Sequence, residues 1–296
     1  MIQPATEDMI PQLKSLWQIC FDDTAAGTDF VFDNLLRPEH ILVQTDETTE
    51  PIAMLCWQPL TFSTQGAAFD GAYIFGVGTS PRHRGKGVST ALLEKAEEIL
   101  RGQGVRLSCL VPASQSLFGF YSQRGYATQF YYKLLSVGAD QIPTAQGGRV
   151  VPAALEDFEE RRSKAFGGSL LGAWNKGYLR YTGAECRFWG GEVLRFTCGD
   201  GRDGYAACYL DGKGGILVKE VLLPRGDEEN LDSFLAALHG RYVAQSYNLR
   251  LPTDFALPDK WQTQTLPFAM TKWYYKEDTQ AANIGSASWF AFGLDS

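Results

Sequence analysis

Paired cysteines, surplus basic charge and long apolar runs are what this chain lacks. Its cysteines at 20, 56, 109, 186, 198 and 208 form no CxxC. They read as reduced thiols of a cytoplasmic protein, neither a disulfide framework nor a zinc site. His40, His83 and His239 show no ligand spacing, so no metal is expected. Lys and Arg number 27 against 34 Asp and Glu, a formal net charge of −7. That balance argues against nucleic acid or an anionic membrane as main partner. No apolar run reaches the ~18 residues of a membrane-spanning helix. The N-terminal MIQPATEDMIPQ has no basic leader region, so it does not read as a signal peptide. There is no GxxxxGK[ST], and no GxGxxG opens a helix, which excludes the commonest nucleotide loops.

What is present is an ordinary globular composition, 296 residues with 45% hydrophobic and 21% charged. That length suits two domains of ordinary size or one large one. Residues 73–100 organise the rest. The apolar run 73–77 reads as a buried strand and breaks into a loop with Pro81, two glycines and the basic residues Arg82, Arg84 and Lys86. Val88, Ala91, Leu92, Ala96, Ile99 and Leu100 then recur at the spacing of one buried helix face. A strand, a glycine-rich basic loop and a helix present free N–H groups and a helix dipole to a phosphate. Gly85 and Gly87 let the main chain approach an anion without intervening Cβ atoms.

The pattern Arg82-x-x-Gly85-x-Gly87 resembles the pyrophosphate loop of the GNAT (GCN5-related) N-acetyltransferases. Downstream, the stretch Phe120-Tyr121-Ser122-Gln123-Arg124-Gly125-Tyr126 resembles that family's second signature. The resemblance covers roughly residues 5–135 and implies acetyl-CoA or a related acyl-CoA as co-substrate. It implies that N–H groups from Arg84 to Ser89, Val88 included, hold the pyrophosphate, with Arg82, Arg84 and Lys86 in the loop. The strand 77–79 would splay from the strand 105–111, and Val77 and Thr79 would offer main-chain bonds to the pantetheine arm between them. Gly78 reads as a local loss of regular pairing. Ser114 falls where many relatives place an Asn near the cofactor, and it also reads as a helix cap. Tyr121 is implied as catalytic; its alternative is packing among Leu117, Phe118 and Phe120. The usual Glu base has no counterpart, since that region offers Asp70 and Tyr73. Asp22, Asp23, Asp29 and Asp33 border the expected acceptor cleft, and each reads equally as a cap or a solvated charge.

Taken in order, Thr6 can cap a first helix with Leu13, Leu16, Trp17 and Cys20 on one face. A loop over 21–29 leads to a second helix ending at Leu36. Strands follow at 40–45, 52–62 and up to the glycine loop, then the helix 88–100, a strand at 105–111, a short helix opened by Ser114 and a strand at 127–135. Residues 138–148 are polar and turn-rich, a linker between a catalytic domain 1–137 and a second unit 149–277. That unit should have a helix at 152–166, strands at 192–198, 205–210 and 216–223, a helix at 227–242, and strands at 247–251 and 269–276. Its counterpart of the loop, Pro224-Arg225-Gly226-Asp227, puts an acid where phosphate should sit, so it reads as degenerate. Such a tandem of α/β mixed-sheet GNAT folds resembles the enhanced-intracellular-survival group without its sterol-carrier domain. The tail 278–296 should be either frayed or docked by Trp289, Phe290 and Phe292. The expected function is N-acyl, above all N-acetyl, transfer to a small-molecule or peptide amine. The acidic charge suits a cationic one, and a homo-oligomer is left open. The alternative is a silent acyl-CoA or small-ligand sensor.

Overall fold

The computed structural model describes residues 1–296 except 65, 145–147, 167–169, 198–200, 202, 224–227, 282–287 and 292–296. The first half follows its sequence pattern. After β1 (Ile2–Pro4), α1 (Ile10–Phe21) buries Leu13, Leu16 and Trp17. The helix α2 (Ala25–Asn34) starts earlier than expected, because the Thr24 hydroxyl accepts the Gly27 N–H at 3.0 Å. Strands β2 (Ile41–Thr45), β3 (Pro51–Ser63) and β4 (Ala68–Thr79) form an antiparallel meander. The helix α3 (Val88–Gly102) then crosses over to β5 (Leu107–Leu110), parallel to β4, before α4 (Gln115–Ser122) and β6 (Ala127–Gly138).

The second half repeats this order. β7 (Arg149–Pro152), α5 (Leu155–Phe166), β8 (Leu171–Ala173) and α6 (Lys176–Phe188) precede β9 (Glu192–Thr197), β10 (Asp203–Leu210) and β11 (Gly215–Leu222). The helix α7 (Glu228–Tyr242) leads to β12 (Ser246–Leu251), parallel to β11, and then to β13 (Thr263–Trp273) and α8 (Lys276–Ala281). The sequence reading missed α6, whose Asn175 cap accepts the Tyr178 N–H at 2.9 Å. Between β12 and β13, residues 252–262 form no helix, so the second half has no counterpart of α4.

All strands join one sheet in the order β1-β2-β3-β4-β5-β13-β6-β12-β11-β10-β9-β7, with β8 on β3. The last strand of each half is exchanged. β13 fits between β5 and β6, antiparallel to both, and β6 in turn pairs with β12. β3 is buried on both faces. Met54 and Cys56 join the core under α1 and α2, while Ala53, Leu55 and Trp57 join the core under α3.

The segment Trp289, Phe290, Ala291 is docked. The Phe290 ring lies within 6.5 Å of Phe62, Tyr73, Phe130, Trp174 and Phe268. The Trp289 indole donates to Glu220 at 2.6 Å, and buried Arg162 pairs with the same carboxylate at 2.9 Å. Phe292 and the loop 224–227 lie outside the described residues.

A chain ending at residue 142 loses β13 and exposes the facing edges of β5 and β6. It should fail to give a cooperative urea transition and should self-associate on gel filtration. A monomeric, cooperatively unfolding 1–142 fragment would show that β13 is dispensable.

Candidate active site

The glycine loop leaves a concave, unobstructed helix end. After Pro81–His83 forms one tight turn, Gly85 and Gly87 adopt φ of 75° and 77°, which an L side chain resists. A Cβ at either position would meet nothing within 4 Å. Gly87 is the N-cap of α3 and offers no side-chain cap. The first bond of the helix runs from Ala91 N–H to the Gly87 carbonyl at 3.0 Å. The N–H groups of Val88, Ser89 and Thr90 therefore point out of the positive helix end with no acceptor in a preceding turn. Arg82, Arg84, Gly85, Lys86 and Gly87 are exposed around them. Arg84 is partly committed, because its Nε donates to the Thr79 carbonyl at 3.1 Å.

Beside the loop the sheet opens. β4 and β5 pair from Gly71↔Leu107 to Ile74↔Leu110 and no further. Residues 75–79 thus have a free side facing the gap. The Ser80 N–H reaches the Ile52 carbonyl on β3 at 2.9 Å, so by strand alternation Thr79 and Val77 turn their main-chain groups to the gap. The pairing irregularity expected at Gly78 sits instead at Gly76. Gly78 is in register with Met54, whereas the register shifts before Cys56 and Gly76 has φ of 58°. Both glycines let α1 approach closely. A Cβ on Gly76 would stand 2.6 Å from the Trp17 ring, and one on Gly78 would stand 3.0 Å from Cys20 Cβ.

Tyr121 lies on α4 and is 7% exposed. It shares one core with Leu92, Leu93, Val88 and Val77, so loop, gap and phenol are held by the same packing. Its ring meets Tyr126 edge-on at 5.8 Å. Burial pushes its hydroxyl up to about 12, against a smaller opposite pull from the Arg124 guanidinium. That hydroxyl makes no hydrogen bond to any described residue, whereas the Tyr126 hydroxyl is taken by Ser108 at 2.7 Å. Ser114 stands at the N-cap of α4 without making the cap bond; its hydroxyl pairs with that of Ser116 at 3.0 Å.

The structure divides the carboxylates. Asp70 is exposed on β4, ~25 Å along the strand from Gly78, too distant to serve as a base. Tyr73 is buried beside Phe75 and Trp174. Asp29 and Asp33 share Lys14 at 2.8 and 3.0 Å, and Asp23 accepts the Trp17 indole N–H at 3.1 Å. Sequence reasoning missed Tyr181 and Phe188, which α6 brings onto Phe30 at 5.5 and 4.5 Å. It gave no role to Arg124, which stands inside the second signature three residues past Tyr121. Among the described residues no group of His, Cys, Asp and Glu has the geometry to hold a metal ion.

Residues 1–129 match the family model described as acetyltransferase (GNAT) domain. A probable N-acyltransferase of Enterococcus faecalis V583 is similar over 92% of this chain and 72% of its own, with TM-score 0.72 and 18% identity. A GCN5-related N-acetyltransferase from Anabaena variabilis gives TM-score 0.70 and 16% identity over 92% and 72%. Eis1 from Mycobacterium abscessus gives TM-score 0.68 and 15% identity over 95% and 75%. No curated protein matches the sequence. The match to the GNAT acetyltransferase model is thus confined to residues 1–129, while the likeness in fold extends over most of the chain.

Gly87→Glu would place a side chain and a negative charge in the open cradle. Each charge-assisted bond lost is worth ~1.5–3 kcal/mol, so CoA affinity by calorimetry should fall more than about tenfold. Unchanged affinity in a folded Gly87→Glu protein would rule out the loop as the phosphate site.

Proposed function

We propose that the chain is an acyl-CoA-dependent N-acyltransferase, transferring acetyl from acetyl-CoA to an amine. The observation that carries this reading is the convergence on one core of an uncapped, open helix end, a gap between parallel strands and an unpaired phenol. The N–H groups at 88–90 would hold the pyrophosphate, with Lys86 and Arg82 adding charge at the rim. Val77 and Thr79 would bond the pantetheine arm in the gap. These contacts anchor the thioester, and anchoring converts a bimolecular encounter into an oriented one.

The amine nitrogen attacks the thioester carbonyl, the C–N bond forms and the C–S bond breaks. The amine gives up one proton to solvent water, the departing sulfur takes one from the Tyr121 hydroxyl, and water then returns a proton to the phenolate. A phenol raised to about 12 is fully protonated at neutral pH and serves as donor there. An acyl-cysteine route finds no support, because burial pushes upward the thiol of Cys20, which stands against Gly78, as well as those of Cys56 and Cys109, and withholds the reactive thiolate. Asp70 is exposed near the far end of β4, roughly 25 Å along the strand from Gly78, out of reach of the amine proton, and that observation favours a second reading, an acyl-CoA sensor. A panel of amines with acetyl-CoA and a free-thiol readout separates the two. Tight CoA binding without amine-dependent thiol release would favour the sensor.

Tyr121→Phe removes one oxygen and keeps the ring contacts. It should leave CoA affinity and Tm nearly unchanged while kcat falls roughly 10²–10⁴-fold, the range for a lost general acid. Full kcat in this variant would make Tyr121 a packing residue. The donor's raised value further predicts that kcat shows no loss from Tyr121 ionisation up to pH about 10. A basic limb near pH 8 that disappears in Tyr121→Phe would contradict the burial argument.

The acceptor follows from the aromatic and acidic edge. If Asp22 and Asp23 face the incoming amine, replacing both with Asn should raise KM for a polyamine more than for a neutral amine, and added salt should shrink the difference. Equal changes for both amines would mark the pair as solvated surface.

A further inference from the structure

Between α3 and α4 lies one guanidinium with three committed donors. Arg124 Nε and Nη2 donate to the Thr90 hydroxyl at 2.9 and 2.6 Å, and Nη1 donates to the Phe120 carbonyl at 2.6 Å. The guanidinium carbon sits 3.5 Å from the centre of the Phe120 ring. Thr90 belongs to the first turn of α3, the turn whose N–H groups form the open cradle. Phe120 immediately precedes Tyr121, and the Arg124 N–H donates to the Tyr121 carbonyl at 2.9 Å. The Phe120 carbonyl is in the last turn of α4, where a helix runs out of its own donors. Arg124 is half-buried, so solvent screens these contacts less than it would at an open surface. A planar fork fixes the directions of its N–H groups and so holds two helices at one separation, which an ammonium on a flexible stem does not.

We propose that Arg124 is a positioning residue for the transfer step. With one side chain it sets the separation between the phosphate cradle on α3 and the Tyr121 phenol on α4. It thereby fixes the reach from the anchored co-substrate to the proton donor. The inference rests on the acyl-transfer reading above. An error of about 1 Å in such a reach can cost on the order of 10²-fold in rate.

Two variants loosen this link in different ways. Arg124→Lys keeps the charge and loses the fork, and Thr90→Val removes the acceptor on α3 while leaving Arg124 in place. Each is crossed with Tyr121→Phe to give a double-mutant cycle. Each single variant should lower kcat about tenfold or more, leave CoA affinity within about threefold by calorimetry, and change kcat less than about twofold in the Tyr121→Phe background. A side chain that merely stabilises the fold would give equal losses in both backgrounds, and that result overturns the proposal. Full kcat in both single variants overturns it as well.

If Tyr121→Phe itself keeps full kcat, the donor role of Tyr121 fails; if no amine is acetylated, the acyl-transfer reading fails; in either case the positioning claim is decided by resonance. With ¹³C-labelled tyrosine, assigned by the missing signal in Tyr121→Phe, Tyr121 should shift when CoA is added. The shift should vanish or change in Arg124→Lys. An identical shift in both proteins, or none in the parent, overturns the link between cradle and phenol.

Discussion

The exchange of β13 for β6 is the constraint on which the rest of the molecule depends. β5 is only four residues long, and on its open side it pairs with a strand more than 150 residues away in sequence. Met270 from that strand enters the core that holds Tyr121 and Tyr126. Lys272 binds Glu97 on α3 at 2.5 Å, and just beyond β13 Asp278 clasps Arg106 at 2.6 and 2.8 Å. The floor beneath α3 is therefore built partly from the far end of the chain. Loop-closure entropy for such a contact grows only slowly with length. The apolar burial on both faces of the sheet offsets it readily.

From that floor the site follows by local rules. Parallel pairing of β4 and β5 stops at Ile74↔Leu110, and past the bulge at Gly76 the remainder of β4 stays paired with β3 alone. A helix that begins at a glycine has no side chain to consume its first N–H groups, so the positive end stays available. Burial keeps Tyr121 protonated, and packing keeps it in the core that also holds Val77 and Val88. The second half retains the strand and helix order but lacks the short helix that carries the phenol. Its structural contribution is clearer. α6 puts Tyr181 and Phe188 against α2, and Arg162, Glu220 and Trp289 form a buried ion pair and hydrogen bond that hold the docked C-terminal segment. Removing one partner of that pair would strand a buried charge, which costs far more than the pair itself contributes.

Much of this was legible beforehand. Period-3.6 spacing marked α1 and α3, because these helices bury one face and expose another, and alternation marked β5. The glycine loop and Tyr121 were legible as motifs, since their chemistry depends on neighbours close in sequence. β7, β8 and α6 were not. β7 and β8 are too short to show a period, and α6 mixes buried Tyr, Thr, Gly and Glu, a face that polarity does not distinguish. The register shifts at Gly76 and not at the expected Gly78, because the sequence shows where glycines stand and not which one the partner strand leaves unpaired. Arg124 stood inside a quoted motif, yet its partner Thr90 is 34 residues away, so spacing gave no hint of the contact.

The sequence by itself determined the local elements, the glycine loop that leaves a helix end open, the position of Tyr121 on the short helix and the twofold repetition of element order. Each of these depends on side-chain pattern within one turn, one strand or one loop. Only the tertiary structure decided that the two halves trade their last strands, and that Asp70 stands far from the gap. The same holds for the docking of Phe290 between the halves and for the guanidinium that ties the cradle to the phenol. These depend on which distant surfaces meet, and pairing between distant segments is set by the packing of the whole sheet.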